Sequence, residues 1–268
     1  MVAMSAALLD VPGNHQTTLD SRDLYLNLLK RVLTDTVFAA EPNADDDGMG
    51  YLQGFIEHYI RGRAVSMVPM VRLDNLHRCA VDVIERQVPG DFIETGVWRG
   101  GTTIFMRAIL AAYAAKDRQV WVADSFEGLP EPDSEKYPVE AKTHRGKVMS
   151  DVYDHFAVGF DQVKENFARF GLLDDQVRFL KGWFKDTLSS TEISELAVMR
   201  LDGDYYESTL DALVNLYPKL SPGGYAIVDD YGEDTWTYCR RAVDDYRRSE
   251  GLEQPLIQVD SKCFYWQK

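Results

Sequence analysis

Apolar residues recur along this chain with two different periods, and the change from one to the other falls near residue 89. Before that point the spacing is helical. From Ser21 the run Ser-Arg-Asp-Leu-Tyr-Leu-Asn-Leu-Leu-Lys-Arg-Val-Leu repeats Leu24, Leu28 and Val32 on one face, which predicts an amphipathic helix with Ser21 as its N-cap. Further helices are predicted at residues 51–61 and 72–87, with Pro69 between them. Residues 21–88 therefore read as an N-terminal helical cap. They follow a loose tail at 1–20 that carries the turn cluster Pro12-Gly13-Asn14. The run Asp45-Asp46-Asp47 reads as a solvated loop, because adjacent side chains in a flexible segment do not converge on one ion.

Beyond Pro89-Gly90 short β-rich runs alternate with helical patterns. Strands are predicted at residues 91–97, 119–125, 176–182, 197–203 and 224–231, and a closing pair at 255–261 and 263–266. Helical patterns lie at 102–115, 160–170, 208–220 and 236–248. Strands separated by helices of this length predict a doubly wound, mostly parallel, seven-stranded α/β sheet of Rossmann-like type, filling residues 89–268.

Composition narrows the function classes. The chain has 268 residues, room for one large α/β domain with an appended segment. Its net charge of −14 opposes nucleic acid and anionic membranes as partners. No apolar run approaches the roughly 18 to 20 residues that span a bilayer, and no basic-then-apolar leader opens the sequence, so a cytoplasmic location is expected. Cys79, Cys239 and Cys263 are odd in number and irregularly spaced, which predicts reduced thiols, with Cys79 and Cys239 packed in the core beside apolar neighbours.

In a doubly wound sheet the ligand sits outside the carboxyl ends of the strands, so the candidate chemistry is sought there. The first strand ends in Glu94-Thr95-Gly96-Val97-Trp98-Arg99-Gly100-Gly101-Thr102. Gly96 permits a tight turn, and Gly100 or Gly101 permits close approach of backbone to a ligand. A carboxylate stands where a dinucleotide fingerprint has its first glycine, which suits a positively charged ligand better than a pyrophosphate; S-adenosylmethionine carries an ammonium and a sulfonium. Asp124, followed by Ser125, ends the second strand where an acid accepts hydrogen bonds from ribose hydroxyls. After the third strand, Trp183 or Phe184 is placed to lie against an adenine face.

Two acidic groups close the fourth and fifth strands: Asp202-Gly203-Asp204 and Asp229-Asp230. The strands are neighbours in this architecture, so Asp202, Asp229 and Asp230 converge, and an all-oxygen set suits magnesium, calcium or manganese rather than zinc. A bound divalent ion lowers the pKa of a hydroxyl and holds its oxygen. Asp204, or Asp202 from its metal-bound position, is the nearest candidate base. His144 and His155 fall in a long segment after the second strand and are expected to face solvent.

These strings resemble the macrocin O-methyltransferase-like family of metal- and S-adenosylmethionine-dependent sugar O-methyltransferases. The match runs from about residue 21 onward, through Leu24 to Arg31, Glu94 to Gly101, Asp124 to Pro130, Gly182 to Thr187, Leu201 to Ser208 and Ser221 to Tyr231. The resemblance implies magnesium on Asp202, Asp229 and Asp230, ribose on Asp124, and the amino-acid part of the donor on Glu94 and its glycine turn. It also implicates Ser66-Met67-Val68 at the donor, gives the N-terminal helices a role as lid and oligomer contact, and implies a homo-oligomer acting on a glycosylated natural product or a nucleotide-linked sugar. The segments 41–50 and 131–159 depart from the family, and with them the acceptor goes unnamed. A catechol or phenol methyltransferase would use the same donor and metal. A nicotinamide-dependent dehydrogenase fails on the missing glycine fingerprint, and a non-catalytic binding protein would hold the donor without metal-dependent turnover.

Overall fold

A sheet of seven strands runs through the computed structural model, which describes residues 20–42, 48–145, 154–190, 192–232 and 237–268. In chain order these are β1 (Asp91–Thr95), β2 (Val120–Asp124), β3 (Val177–Lys181), β4 (Leu196–Leu201), β5 (Leu220–Val228), β6 (Ile257–Gln258) and β7 (Phe264–Gln267). Across the sheet they lie in the order β3-β2-β1-β4-β5-β7-β6. β1 to β5 pair in parallel and β7 is antiparallel to both its neighbours. This is the expected doubly wound, mostly parallel, Rossmann-like sheet. The expected loop at Asp45-Asp46-Asp47 and most of the tail lie outside the described residues.

The central strands are apolar along their whole length because helices cover both faces. All six residues of β4 are buried. Side chains alternate between two cores. Phe92 and Val122 face one with α1 (Ser21–Leu33), α3 (Met70–Glu85), α4 (Gly101–Ala112) and α6 (Phe160–Arg169). Ile93, Trp121 and Ala123 face the other with α8 (Tyr206–Leu216) and α9 (Tyr238–Ser249). The three cysteines are buried free thiols.

Three local expectations are corrected. The first helix is capped by Asp20, whose carboxylate accepts the Arg22 amide at 3.0 Å, rather than by Ser21. Its packed face is Leu26, Leu29 and Leu33, while Leu24, Leu28 and Val32 are exposed. The helix predicted at 51–61 is α2 (Gly48–Phe55), which widens into a π-turn at Ile56–Ile60. Two short helices, α5 (Pro138–His144) and α7 (Phe184–Thr187), were not foreseen.

Candidate active site

The chain lays β1, β2 and β3 to one side and β4 and β5 to the other, so the strand order reverses between β1 and β4. Their carboxyl ends flank a crevice at that point, the position where such sheets bind ligands. The register aligns Glu94 with Arg200, and the ladder continues one residue further, from the Asp202 amide to the Thr95 carbonyl and from the Asp229 amide to the Leu201 carbonyl, both at 2.9 Å. Glu94, Asp202 and Asp229 are thus fixed by backbone before their side chains are considered.

A cavity of about 1560 Å³ opens at this edge. It is lined by Glu94, Gly96, Asp124, Ser125, Trp183, Asp202, Asp204, Asp229 and Asp230 of the expected residues, and by Met67 from the N-terminal segment. Thr95, Gly100 and Gly101 stand behind the wall: Thr95 is fully buried, and the Gly101 amide donates to the Val65 carbonyl at 3.0 Å. Gly96, at φ +84°, lies so close to the Asp202 carbonyl that a Cβ there would come within 1.9 Å of its oxygen. The glycine thus joins the β1 turn to the acidic loop, a packing duty beside its turn geometry.

Glu94 is 1% exposed. One oxygen accepts from Arg200, while Oε2 has no hydrogen-bond partner among the described residues. Burial pushes its pKa up to about 8 despite Arg200. An orphaned buried carboxylate oxygen at a cavity wall fits a ligand ammonium. Asp124 accepts the Val97 and Phe126 amides, each at 2.7 Å, which ties the β1 and β2 turns together. Each oxygen retains a lone pair for a further donor.

The ligand oxygens of Asp202, Asp229 and Asp230 lie within 4.8 Å of one another. Oδ2 of Asp230 is buried with no hydrogen-bond partner among the described residues. Burial pushes Asp202 up to about 6 and Asp204 up to about 8, with neighbouring carboxylates adding to both, and holds Asp230 well above its ordinary range. Asp229 goes the other way: burial opposes its charge, but Arg200 at 2.5 Å and Arg72 at 2.6 Å outweigh it. The all-oxygen set, its surplus of negative charge and the orphaned Asp230 oxygen fit a hard divalent cation. Asp204 holds φ +57°, a left-handed conformation that aspartate tolerates better than most residues and that aims its side chain into the cavity wall.

Arg72 and Arg200 had no role in the sequence reading. Arg200 was visible in principle, two residues before Asp202 and so on the same side of the strand. Arg72 was not, because its partners Asp229 and Asp260 are far along the chain. His144 is corrected too. It is half-buried, with Nδ1 2.7 Å from the Tyr205 hydroxyl, while Glu140 accepts the Tyr206 amide at 3.2 Å; together they clamp α5 onto the loop that follows Asp204. The His155 side chain is exposed as expected.

The profile of the family described as Macrocin-O-methyltransferase (TylF) matches residues 60–268. The chain is 47% identical over 262 residues to 8-demethyl-8-(2,3-dimethoxy-alpha-L-rhamnosyl)-tetracenomycin-C 4'-O-methyltransferase of Streptomyces olivaceus, covering 93% of this chain and 94% of that one. It is 45% identical to demethyldecarbamoylnovobiocin O-methyltransferase of Streptomyces niveus, covering 94% and 96%. The solved structure of the O-methyltransferase NovP superposes with a TM-score of 0.80 at 44% identity, covering 92% of this chain and 99% of that one. The chain belongs to the macrocin O-methyltransferase family and is an S-adenosylmethionine-dependent O-methyltransferase.

Proposed function

We propose that this enzyme methylates a sugar hydroxyl of a finished glycoside in antibiotic biosynthesis, with a divalent metal such as magnesium at Asp202, Asp229 and Asp230, and with residues 21–88 serving as cap and lid over residues 89–268. The observation that carries this reading is one cavity holding both the glycine turn and the acidic cluster. Its volume of about 1560 Å³ exceeds the roughly 300–1,000 Å³ of a single small-molecule site, which leaves room for the donor beside a bulky acceptor.

The wall chemistry favours a neutral acceptor. Leu52, Phe55, Tyr59, Val71, Leu129 and Phe156 offer apolar surface for an aglycone. Glu41, Glu131, Asp133, Glu207 and Asp211 outnumber Lys136, Lys185 and Lys262 around the cavity and repel the two charges of a sugar-linked pyrophosphate. Turnover of a panel of glycosides, nucleotide sugars and catechols, read by mass spectrometry, tests this. Methyl transfer to a glycoside is expected; preferential methylation of a nucleotide sugar or a catechol would overturn the acceptor assignment.

In the mechanism that follows, Glu94 Oε2 receives the donor's ammonium, Asp124 its ribose hydroxyls, Met67 borders it on the cap side and Trp183 or Phe184 covers the adenine. The donor supplies a methyl group on a sulfonium, open to in-line displacement. A divalent ion, when bound, supplies charge that makes the acceptor hydroxyl more acidic. Asp204, or Asp202, takes the hydroxyl proton from its place beside the acceptor. The remaining contribution is orientation of two bound reactants in a shared cavity.

The same protonation sets a pH dependence. Carboxylates with raised pKa values are protonated at low pH and must release those protons to hold a cation. Magnesium affinity is therefore expected to rise as pH climbs from about 6 to about 8, with proton release on binding at pH 7. Calorimetry in buffers of differing ionisation enthalpy measures it, and a pH-independent affinity would contradict the site.

No helix of the described residues is long and apolar enough to cross a membrane. The exposed stripe Leu24, Leu28 and Val32 is proposed as the surface where copies of the chain meet. Light scattering should then find Leu28→Glu monomeric where the parent is oligomeric; an unchanged mass would reject that face.

A further inference from the structure

We propose that Arg99 is a positioning residue that couples the donor turn to the acceptor-side wall. The inference rests on the donor binding at the Gly96–Gly101 turn, as proposed above. Arg99 belongs to that turn, yet its side chain spends its donors elsewhere. Nη1 reaches the carbonyls of Ala64 at 2.7 Å, Tyr59 at 3.2 Å and Gly62 at 3.4 Å, and Nη2 that of Ile60 at 2.9 Å. Among the described residues it pairs with no carboxylate, and burial lowers its pKa.

Two of those carbonyls, of Tyr59 and Ile60, end the π-turn that follows α2, and those of Gly62 and Ala64 lie just beyond it. The last carbonyls of a helix lack partners within it and form the negative end of its dipole. Arg99 caps that end from a different part of the chain, with a planar fork of donors that matches several carbonyls at once. The helix it caps carries Leu52, Phe55 and Tyr59 into the cavity wall.

The turn is fastened on its other side as well. The Arg99 guanidinium lies 4.2 Å from the centre of the Trp98 ring, Trp98 Nε1 donates to the His155 carbonyl at 3.0 Å, and the Arg99 carbonyl accepts Asn166 Nδ2 at 2.9 Å. Trp98 itself lines the cavity at φ +49°. The turn that receives the donor is thus braced against α6 and the segment after β2 while it holds the helix that shapes the acceptor pocket. Ordering of the turn by donor steadies that helix, and by linkage acceptor binding steadies the donor.

Hydrogen-exchange mass spectrometry of the full chain, with and without S-adenosylhomocysteine, tests the coupling in the parent and in Arg99→Lys, which keeps the charge and loses the fork. In the parent, S-adenosylhomocysteine is expected to slow exchange at residues 94–101 and also at 52–64. In Arg99→Lys the first protection persists and the second disappears, the acceptor KM rises roughly ten-fold, Tm drops by about a few degrees as the carbonyls lose their donors, and kcat stays near the parent value. Equal protection of 52–64 in both proteins would overturn the coupling, as would kcat, KM and Tm all deteriorating together, which marks a purely structural role. Failure of the parent to bind S-adenosylhomocysteine at all would instead strike the underlying placement of the donor.

Discussion

Asp202→Asn is expected to reduce methyl transfer by at least about a thousand-fold, the combined scale of a lost metal ligand and a lost general base, while S-adenosylhomocysteine still binds. The change is isosteric and the backbone amide of residue 202 keeps its bond to Thr95, so the crevice keeps its shape. What disappears is one negative charge from the cluster with Asp229 and Asp230. Asparagine is a poorer ligand for a hard cation and accepts no proton at neutral pH. Retention of near-normal turnover would remove Asp202 from the chemistry. The parallel variant Asp204→Asn separates the two candidate bases: lost turnover with magnesium binding intact assigns the proton acceptor to Asp204.

The second large effect concerns stability. Arg200 is 1% exposed and meets Glu94, Asp202 at 3.0 Å and Asp229 at 2.5 Å. Arg200→Met leaves those buried carboxylates without their shared cation, a loss of about 3–5 kcal/mol by analogy with other broken buried pairs. For a domain of this size that lowers Tm on the order of 10 °C. The sign with pH follows from the carboxylates. Deprived of Arg200 their folded-state pKa values rise, Glu94 and Asp202 from values already raised and Asp229 from a lowered one, so they are more easily accommodated when protonated. The deficit relative to the parent is therefore expected to shrink as pH falls from 8 toward 5.5. Thermal melts at the two pH values measure it, and a variant as stable as the parent at pH 8 would show that Arg200 is dispensable.

The convergence of the candidate acids was legible where it depends on strand ends. Glu94, Asp124, Asp202, Asp229 and Asp230 each follow or close an apolar run, and parallel topology brings such positions to one edge whatever lies between them. What holds those acids in place was less legible. Arg72 reaches Asp229 from the N-terminal helices and Glu140 reaches Tyr206 from the segment after β2, contacts between distant stretches that no local pattern encodes.

Fold errors have similarly local causes. β5 begins at Leu220, ahead of the predicted 224, and takes in Pro222 and Gly223, residues that ordinarily interrupt a strand; the structure absorbs them with a register shift opposite Leu196 and Val198. α5 was missed because Pro138 to His144 offers two buried positions, Glu140 and Ala141, too few to show a period. In the first helix two apolar stripes compete. The stripe Leu24, Leu28 and Val32 fits the helical repeat as well as Leu26, Leu29 and Leu33, and only tertiary packing decides which turns inward.

On the proposed reading a single cavity brings the donor and a metal-activated hydroxyl together. The most direct test of that reading is a titration of S-adenosylhomocysteine into chelator-stripped protein, followed by turnover of a glycoside acceptor with and without added magnesium. Binding without the ion, and methyl transfer only with it, is the predicted result; turnover undiminished by removal of every divalent cation would contradict the assignment of the aspartate cluster.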